Sequence, residues 1–238
     1  MPTTEQDQRR KSELAANLTS VRRRIETACA AAGRDATEIT MIAVTKTFPV
    51  SDIRLLAELG MADIGENRDQ EAAPKAAACA DLPLTWHFVG QLQTNKARSV
   101  AAYADVVHSV DRPRLVRALS AAALRAGRVV RCLVQVALDD DPARGGARIA
   151  DVPGLAAQVA AADGLELGGV MAVAPLGADP APAFAVLADV AAAVRAEHAA
   201  ATIISAGMSG DLEPAIACGA THVRVGTALL GGRRAIVR

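Results

Sequence analysis

Met41-Ile42-Ala43-Val44-Thr45-Lys46 is an apolar run that ends on a lysine, and Thr47-Phe48-Pro49 turns the chain immediately afterwards. Four apolar residues followed by a turn read as a buried strand of the kind found in parallel sheets. The next stretch, 51–60, reads as a helix. The same alternation repeats along the chain. Strands are predicted near 40–46, 62–66, 86–90, 105–110, 129–136, 167–173, 202–207 and 222–226. Helices fill the gaps near 51–60, 68–80, 94–103, 112–126, 151–162, 180–199 and 211–219. Strands separated by helices predict an all-parallel sheet. Eight of them close a barrel, and 238 residues is an ordinary length for a (β/α)8 fold. An open doubly wound sheet is the alternative, but its Gly-x-Gly-x-x-Gly signature after the first strand is absent. Upstream, Leu14, Leu18, Val21, Ile25 and Cys29 recur at helical spacing, so residues 12–32 predict an amphipathic helix ended by Gly33. The expected architecture is a single α/β domain over residues 1–238, a TIM-type (β/α)8 barrel with an extra N-terminal helix.

Composition narrows the function classes. Hydrophobic residues make up 51% of the chain and aromatics only 2%. The core must therefore be built from Ala, Val, Leu and Ile. Lys+Arg and Asp+Glu both number 26, giving zero formal charge. Without a basic stripe, nucleic acid is not an expected partner. Cys29, Cys79, Cys132 and Cys218 are widely spaced, with no metal-ligand pair among them, and read as free thiols in a reducing compartment. The first eleven residues are polar and carry no signal-peptide core. No segment reads as a membrane span. A soluble cytoplasmic protein is expected. Asp139 to Ala147 and Pro175 to Pro182 read as long βα loops, the first of them mobile.

In a (β/α)8 barrel the reactive groups gather at the C-terminal ends of strands. That rule brings Lys46, Glu66-Asn67, Gly90-Gln91, Met208-Ser209 and Gly226-Thr227 to one rim. Lys46, following apolar positions, is expected to be partly buried, which favours the neutral amine that forms imines. The segment Gly207-Met208-Ser209-Gly210 leads into a helix opening at Asp211, and strand 8 ends at Gly226-Thr227. Bare backbone N–H groups beside hydroxyls suit a phosphate dianion, and barrel phosphate sites commonly use the loops after strands 7 and 8. An amine plus two phosphate cradles fits an aldehyde that carries a phosphate, which is pyridoxal 5'-phosphate. Arg224 shares the face of Gly226. It either points at the ligand or forms a salt bridge inside the barrel. His87 is a candidate pocket residue, and Tyr103 is expected to pack in the core.

Five segments carry a family resemblance. They are Ala43-Val44-Thr45-Lys46-Thr47, Gly65-Glu66-Asn67, the run from Trp86 to Lys96, Gly207-Met208-Ser209-Gly210-Asp211, and Ala215 to Thr227. Together they make the chain resemble the pyridoxal-phosphate-binding YggS/PROSC family of homeostasis proteins, which look like the barrel domain of bacterial alanine racemase standing alone. The resemblance implies that Lys46 holds the cofactor as a Schiff base and that Arg224 faces the pyridine nitrogen. It also implies that Ser209, Gly226 and Thr227 hold the phosphate and that Asn67 lies near the ring. Two departures stand out: Leu230-Gly231 where the family often has Phe-Gly, and Arg144-Gly145 where a lysine is common.

An arginine opposite the pyridine nitrogen disfavours its protonation and weakens the ring as an electron sink. Two-sided proton transfer needs a second acid/base, which alanine racemase takes from an extra domain and its partner subunit. The chain runs only about a dozen residues past strand 8, and Tyr103 is distant from the rim. The expectation is a non-enzymatic protein that stores, buffers or delivers the cofactor, as a monomer, to apo enzymes that use it. A small amino-acid racemase with His87 as the second base is the alternative. A lysine-imine aldolase and a non-catalytic interaction module stand behind it.

Overall fold

The computed structural model describes residues 5–139 and 144–232. Strand β1 (Thr40–Val44) lies between β2 (Asp63–Glu66) and β8 (His222–Val225), parallel to both. Strands β3 (Thr85–Phe88), β4 (Val106–Val110), β5 (Val130–Gln135), β6 (Leu165–Met171) and β7 (Ile203–Met208) complete a closed parallel barrel in chain order. The expected (β/α)8 fold is the observed one. Around it run α1 (Glu5–Ala31), α2 (Val50–Glu58), α3 (Asp69–Ala78), α4 (Ala97–Tyr103), α5 (Pro113–Ala126), α6 (Val152–Ala160), α7 (Pro180–Glu197), α8 (Leu212–Ala217) and the short α9 (Thr227–Leu230).

Local chemistry marks the element ends. Helix α5 opens on Pro113, whose missing N–H is no loss at a first helical position. It stops at Gly127 with φ 62°, a left-handed cap that costs glycine little. Between them Leu115, Val116, Leu119, Ala122 and Ala123 are buried in one stripe. Such stripes pack onto the outward face of the barrel, where Phe88, Val107, Cys132, Val134 and Ala206 belong to one apolar cluster, and Ala43, Ile64, Trp86, Val223 and Val225 to another. Alternation sends the intervening side chains into the lumen. There a small separate cluster forms from Val106, Leu133 and Met171.

Helix α1 buries Leu14, Leu18, Val21, Ile25 and Cys29, the predicted stripe. Each large aliphatic side chain among them contributes about 1.5–3 kcal/mol of transfer free energy. The helix starts at Glu5, seven residues before the expected start at 12. Residues 5–11 have no apolar stripe to announce them. Arg10 holds them down with an ion pair to Asp52, Nη2 to Oδ2 2.7 Å, and a hydrogen bond to the Leu230 carbonyl. Strand β6 begins two residues before its predicted start. Gly169, at φ 144°, is the irregularity: a Cβ there would fall 2.0 Å from the Ile203 carbonyl oxygen.

Residues 140–143 of the expected mobile loop lie outside the described residues. Its return arm is pinned to β5, with Ala147 N–H donating to the Gln135 carbonyl at 2.7 Å and Ala137 N–H to the Ala147 carbonyl at 2.9 Å. All four cysteines are free thiols. Among the described residues no helix is long and apolar enough to cross a membrane, and no group of three ligating side chains could hold a metal ion.

Candidate functional site

Four strand ends supply the predicted site. Lys46 stands two residues past β1, Asn67 one past β2, Ser209 one past β7, and Gly226 one past β8, followed at once by Thr227. Because the barrel order is β7-β8-β1-β2, these positions form an unbroken arc on the C-terminal rim.

The β7 and β8 ends are tied together. Ser209 Oγ accepts hydrogen bonds from the N–H groups of Gly226 and Ala228, at 3.3 and 3.2 Å. With its lone pairs so used, the hydroxyl proton is left to donate to an incoming acceptor. Gly226 caps the start of α9, and Thr227 beside it is exposed. The β7 turn depends on Gly207, at φ 85°, where a Cβ would meet the Ala215 methyl at 2.7 Å. Asp211 Oδ1 accepts from Met208 N–H at 2.6 Å and closes that turn.

Arg224 points into the lumen from β8 and is only 5% exposed. Its Nη1 donates to Ser205 Oγ at 2.6 Å and its Nη2 to the Ala172 carbonyl at 2.8 Å. Among the described residues it makes no salt bridge, so the internal ion pair left open by the sequence is not what holds it. Burial pulls the guanidinium down to about 10, against a raising influence from Asp211, which leaves it charged at neutral pH.

Lys46 differs from expectation: it is exposed, where its apolar neighbours predict partial burial. The strand ends at Val44, and a turn closed by Phe48 N–H on the Thr45 carbonyl, 3.0 Å, lifts the lysine clear of the wall. Thr47 in that turn has φ 68°, a strained setting for a β-branched residue. Its N–H is held by Glu71 Oε2 at 2.9 Å.

The turn has a buried foundation that sequence reasoning missed. Lys75 Nζ donates to the Thr45 carbonyl at 2.9 Å and to Glu66 Oε1 at 2.6 Å, and Thr45 Oγ1 donates to the same Glu66 oxygen at 2.6 Å. Glu66 is 1% exposed, and burial raises its pKa against the lowering contacts from Lys75 and Thr45. The available signal was parity. Gly65 and Asn67 share one face of β2, so Glu66 must enter the outer shell and need a cation there.

Asn67 is held by close backbone approach. A Cβ on Gly90 would fall 2.1 Å from the Asn67 carbonyl oxygen, so only glycine fits. The Asn67 Oδ1 atom is buried and has no hydrogen-bond partner among the described residues. His87 is not on the rim: it is 2% exposed, with both ring nitrogens engaged by His108 and Asp63. Tyr103 ends α4 and packs edge-on to Trp86, ring centroids 6.5 Å apart, as core packing predicts.

Comparison with known proteins identifies the family and the fold. The family model for the alanine racemase N-terminal domain matches residues 11–234. A pyridoxal phosphate homeostasis protein of Mycobacterium tuberculosis is 45% identical over 245 residues, covering 94% of this chain and 95% of its own. The Escherichia coli protein of that name is 36% identical over 228 residues, covering 93% and 97%. The structure of PipY from Synechococcus elongatus with PLP bound superposes with a TM-score of 0.81 at 36% identity, covering 92% of this chain and 100% of that one. The chain belongs to the pyridoxal phosphate homeostasis proteins, a family built on the alanine racemase N-terminal domain.

Proposed function

We propose that this protein binds pyridoxal 5'-phosphate and serves its intracellular homeostasis by storing, buffering or delivering it, without catalytic turnover of its own. The observation that carries the reading is the rim arc, in which an exposed amine, an asparagine and a joined pair of glycine- and hydroxyl-bearing turns stand above a buried arginine. The residues fit the cofactor. Ser209 and Thr227 offer hydroxyl donors beside the bare backbone of Gly226 at a helix start, where a phosphate is favoured. Arg224 offers the pyridine nitrogen a permanent donor, and the unsatisfied Asn67 Oδ1 is a polar atom awaiting a partner. Lys46 is the amine that would condense with the aldehyde, releasing water and leaving a Schiff base. Bound in this way, the cofactor would supply an electrophilic imine carbon on an electron-withdrawing ring. Arg224 disfavours protonation of that ring.

The exposure of Lys46 supports delivery over catalysis, because a free amine from a recipient can reach the same carbon. His87 is buried and doubly bonded, so it cannot serve as the second base a racemase needs. The reading extends to action as a monomer within one domain, residues 1–238, in the cytoplasm, with apo pyridoxal-phosphate enzymes as recipients. Free thiols suit that reducing compartment.

The test is the visible absorbance of the purified protein before and after borohydride. The expected result is a band that borohydride removes, with the cofactor fixed to the peptide containing Lys46. Label on Lys75 or Lys96 would overturn the assignment. The holo-protein should reactivate an apo enzyme. Amino-acid racemisation at about 1 s⁻¹ or faster, the ordinary enzyme range, would overturn the carrier reading.

A further inference from the structure

We propose that Ser205, His108, His87 and Asp63 form a one-way hydrogen-bond chain through the barrel lumen that positions Arg224, with Ser205 and His108 as positioning residues for the rim site. Four contacts run from strand to strand across the interior. Arg224 Nη1 lies 2.6 Å from Ser205 Oγ, and Ser205 Oγ 2.9 Å from His108 Nδ1. His108 Nε2 lies 2.9 Å from His87 Nδ1, and His87 Nε2 2.9 Å from Asp63 Oδ1. Ser205 and His108 are fully buried and His87 is 2% exposed, while the Asp63 side chain is 28% exposed at the opposite mouth.

The ends fix the direction. A guanidinium only donates and a carboxylate only accepts. Ser205 Oγ therefore accepts from Arg224; its second lone pair could accept as well, and it is the Asp63 end, with two neutral rings, that selects the arrangement in which the Ser205 proton goes to His108 Nδ1. That makes His108 an Nε2–H tautomer, which donates to His87 Nδ1. His87 is then also an Nε2–H tautomer, and it donates to Asp63. The chain requires both rings neutral, since a charged His87 would reverse the His108 tautomer and its contact with Ser205. Burial, then the neighbouring His87, Arg224 and His222, hold His108 well below the ordinary imidazole value, in agreement.

The chain has a mechanical consequence. A serine hydroxyl rotates freely unless its proton is engaged. Here His108 engages it, so a lone pair of Ser205 stays aimed at Arg224. The Ala172 carbonyl fixes the second Nη atom. The guanidinium thus keeps one orientation without a carboxylate bonded to it, while Asp211 supplies the negative charge that acts on it through space. The effect on the ligand rests on the reading of Arg224 as the ring-facing group; the tautomers do not.

The experiment therefore has two arms. In the first, histidine-¹⁵N-labelled apo protein is examined by two-bond ¹H–¹⁵N correlation NMR at pH 7. Both His87 and His108 should be neutral with the proton on Nε2. A protonated ring or an Nδ1–H tautomer at either position overturns the chain, whatever the cofactor does. In the second, Ser205→Ala is compared with Ser205→Thr in the holo-protein. Ser205→Ala should weaken retention of pyridoxal phosphate about tenfold, the scale of one lost charged hydrogen bond, and move its absorption band. Ser205→Thr should restore both. Unchanged retention and band in Ser205→Ala overturn the positioning role, while loss of Lys46 labelling in the wild type would instead overturn the site reading. If Ser205→Ala does not fold, His108→Gln with the same readouts decides, since its amide can still accept from Ser205 and should keep the band nearer to wild type than His108→Leu.

Discussion

The two faces of one barrel wall are built from opposite materials. Outward, the strands present Phe88, Val107, Val134, Val223 and Val225 to the helices. Inward, β2, β3, β4, β7 and β8 present Asp63, His87, His108, Ser205 and Arg224, where a barrel of this kind ordinarily stacks branched aliphatics. The outer face carries stability through apolar burial. The lumen and its C-terminal rim carry polar groups that are bonded into one another and lead toward the proposed site. The difference divides the effects of mutation: changes outside should move the folding equilibrium, and changes inside or on the rim should move ligand chemistry.

Two lysines test that division most sharply. Lys46 is exposed on the rim, and Lys75 is buried in the outer shell against Glu66. Lys46→Ala should abolish borohydride-fixable cofactor entirely while leaving the denaturant midpoint within experimental scatter. Lys75→Ala removes one partner of a buried pair and should cost about 3–5 kcal/mol in urea unfolding. It should also loosen the Thr45 turn below Lys46. Equal stability losses in the two variants would break the distinction.

Acid reads the lumen from another side. Burial holds His108 well below the usual value, and burial followed by the nearby His87 brings His222 down to about 4, partly opposed by Asp63 and reinforced by Arg131. Unfolded histidines titrate near 6.5. Below that pH the unfolded chain binds protons that the folded one refuses, so stability falls as pH falls, by up to about 1.4 kcal/mol per unit for each group. The loss should be read between about pH 6.5 and 5, where the unfolded imidazoles take up protons. His108→Phe should flatten that slope, as read from urea midpoints across the range.

Much of this was legible in the chain. The alternation of apolar runs and helices predicts all eight strands and the rim arc, because strand ends converge in a barrel by construction. Lys46 was misjudged for a local reason. Thr45 and Lys46 directly follow the apolar run and read as its last strand positions, yet the Thr45–Phe48 turn ends the strand at Val44. The lumen chain was illegible for a global one. Parity places His87 and His108 inside, but their bonding depends on how β2, β3, β4, β7 and β8 meet after closure, and no local pattern encodes that stagger. The start of α1 was hidden because an ion pair between Arg10 and Asp52, not an apolar stripe, fastens it.

On the rim, the hydroxyls of Ser209 and Thr227 sharpen the comparison further. Removing both, Ser209→Ala with Thr227→Val, should weaken pyridoxal phosphate far more than pyridoxal, since charge-assisted hydrogen bonds are worth about 1.5–3 kcal/mol each. The measurement is the ratio of the two dissociation constants. Ser209 also accepts from Gly226 and Ala228, so a small part of the loss will fall on both ligands through the looser α9 start. Equal weakening of the two would mean that these hydroxyls do not read the phosphate.

The smallest effect belongs to the outermost polar contact. Arg24 on α1 meets Glu213 on α8 through two hydrogen bonds, 2.7 and 2.9 Å, and both side chains remain partly exposed. Arg24 holds the Glu213 carboxyl below its ordinary value, ahead of an opposing effect of burial. A carboxyl depressed in the folded state contributes stability that is present above its unfolded pKa and lost as pH falls through its folded one. Solvent screening makes that contribution small, so Arg24→Ala should cost about 0–1 kcal/mol at pH 7 and less in high salt. At pH values well below the carboxylate range the variant and the wild type should converge. The same substitution should leave cofactor retention untouched, because α1 packs on the outer shell and its contacts toward the rim, to the carbonyls of Leu229 and Leu230 and to the Phe48 ring, are made by Asn17 and Arg10, which remain. A measurable change in retention would mean that the outer shell and the rim are coupled through α8 and the turn it closes at Asp211, and the separation of the two faces would have to be redrawn at that helix.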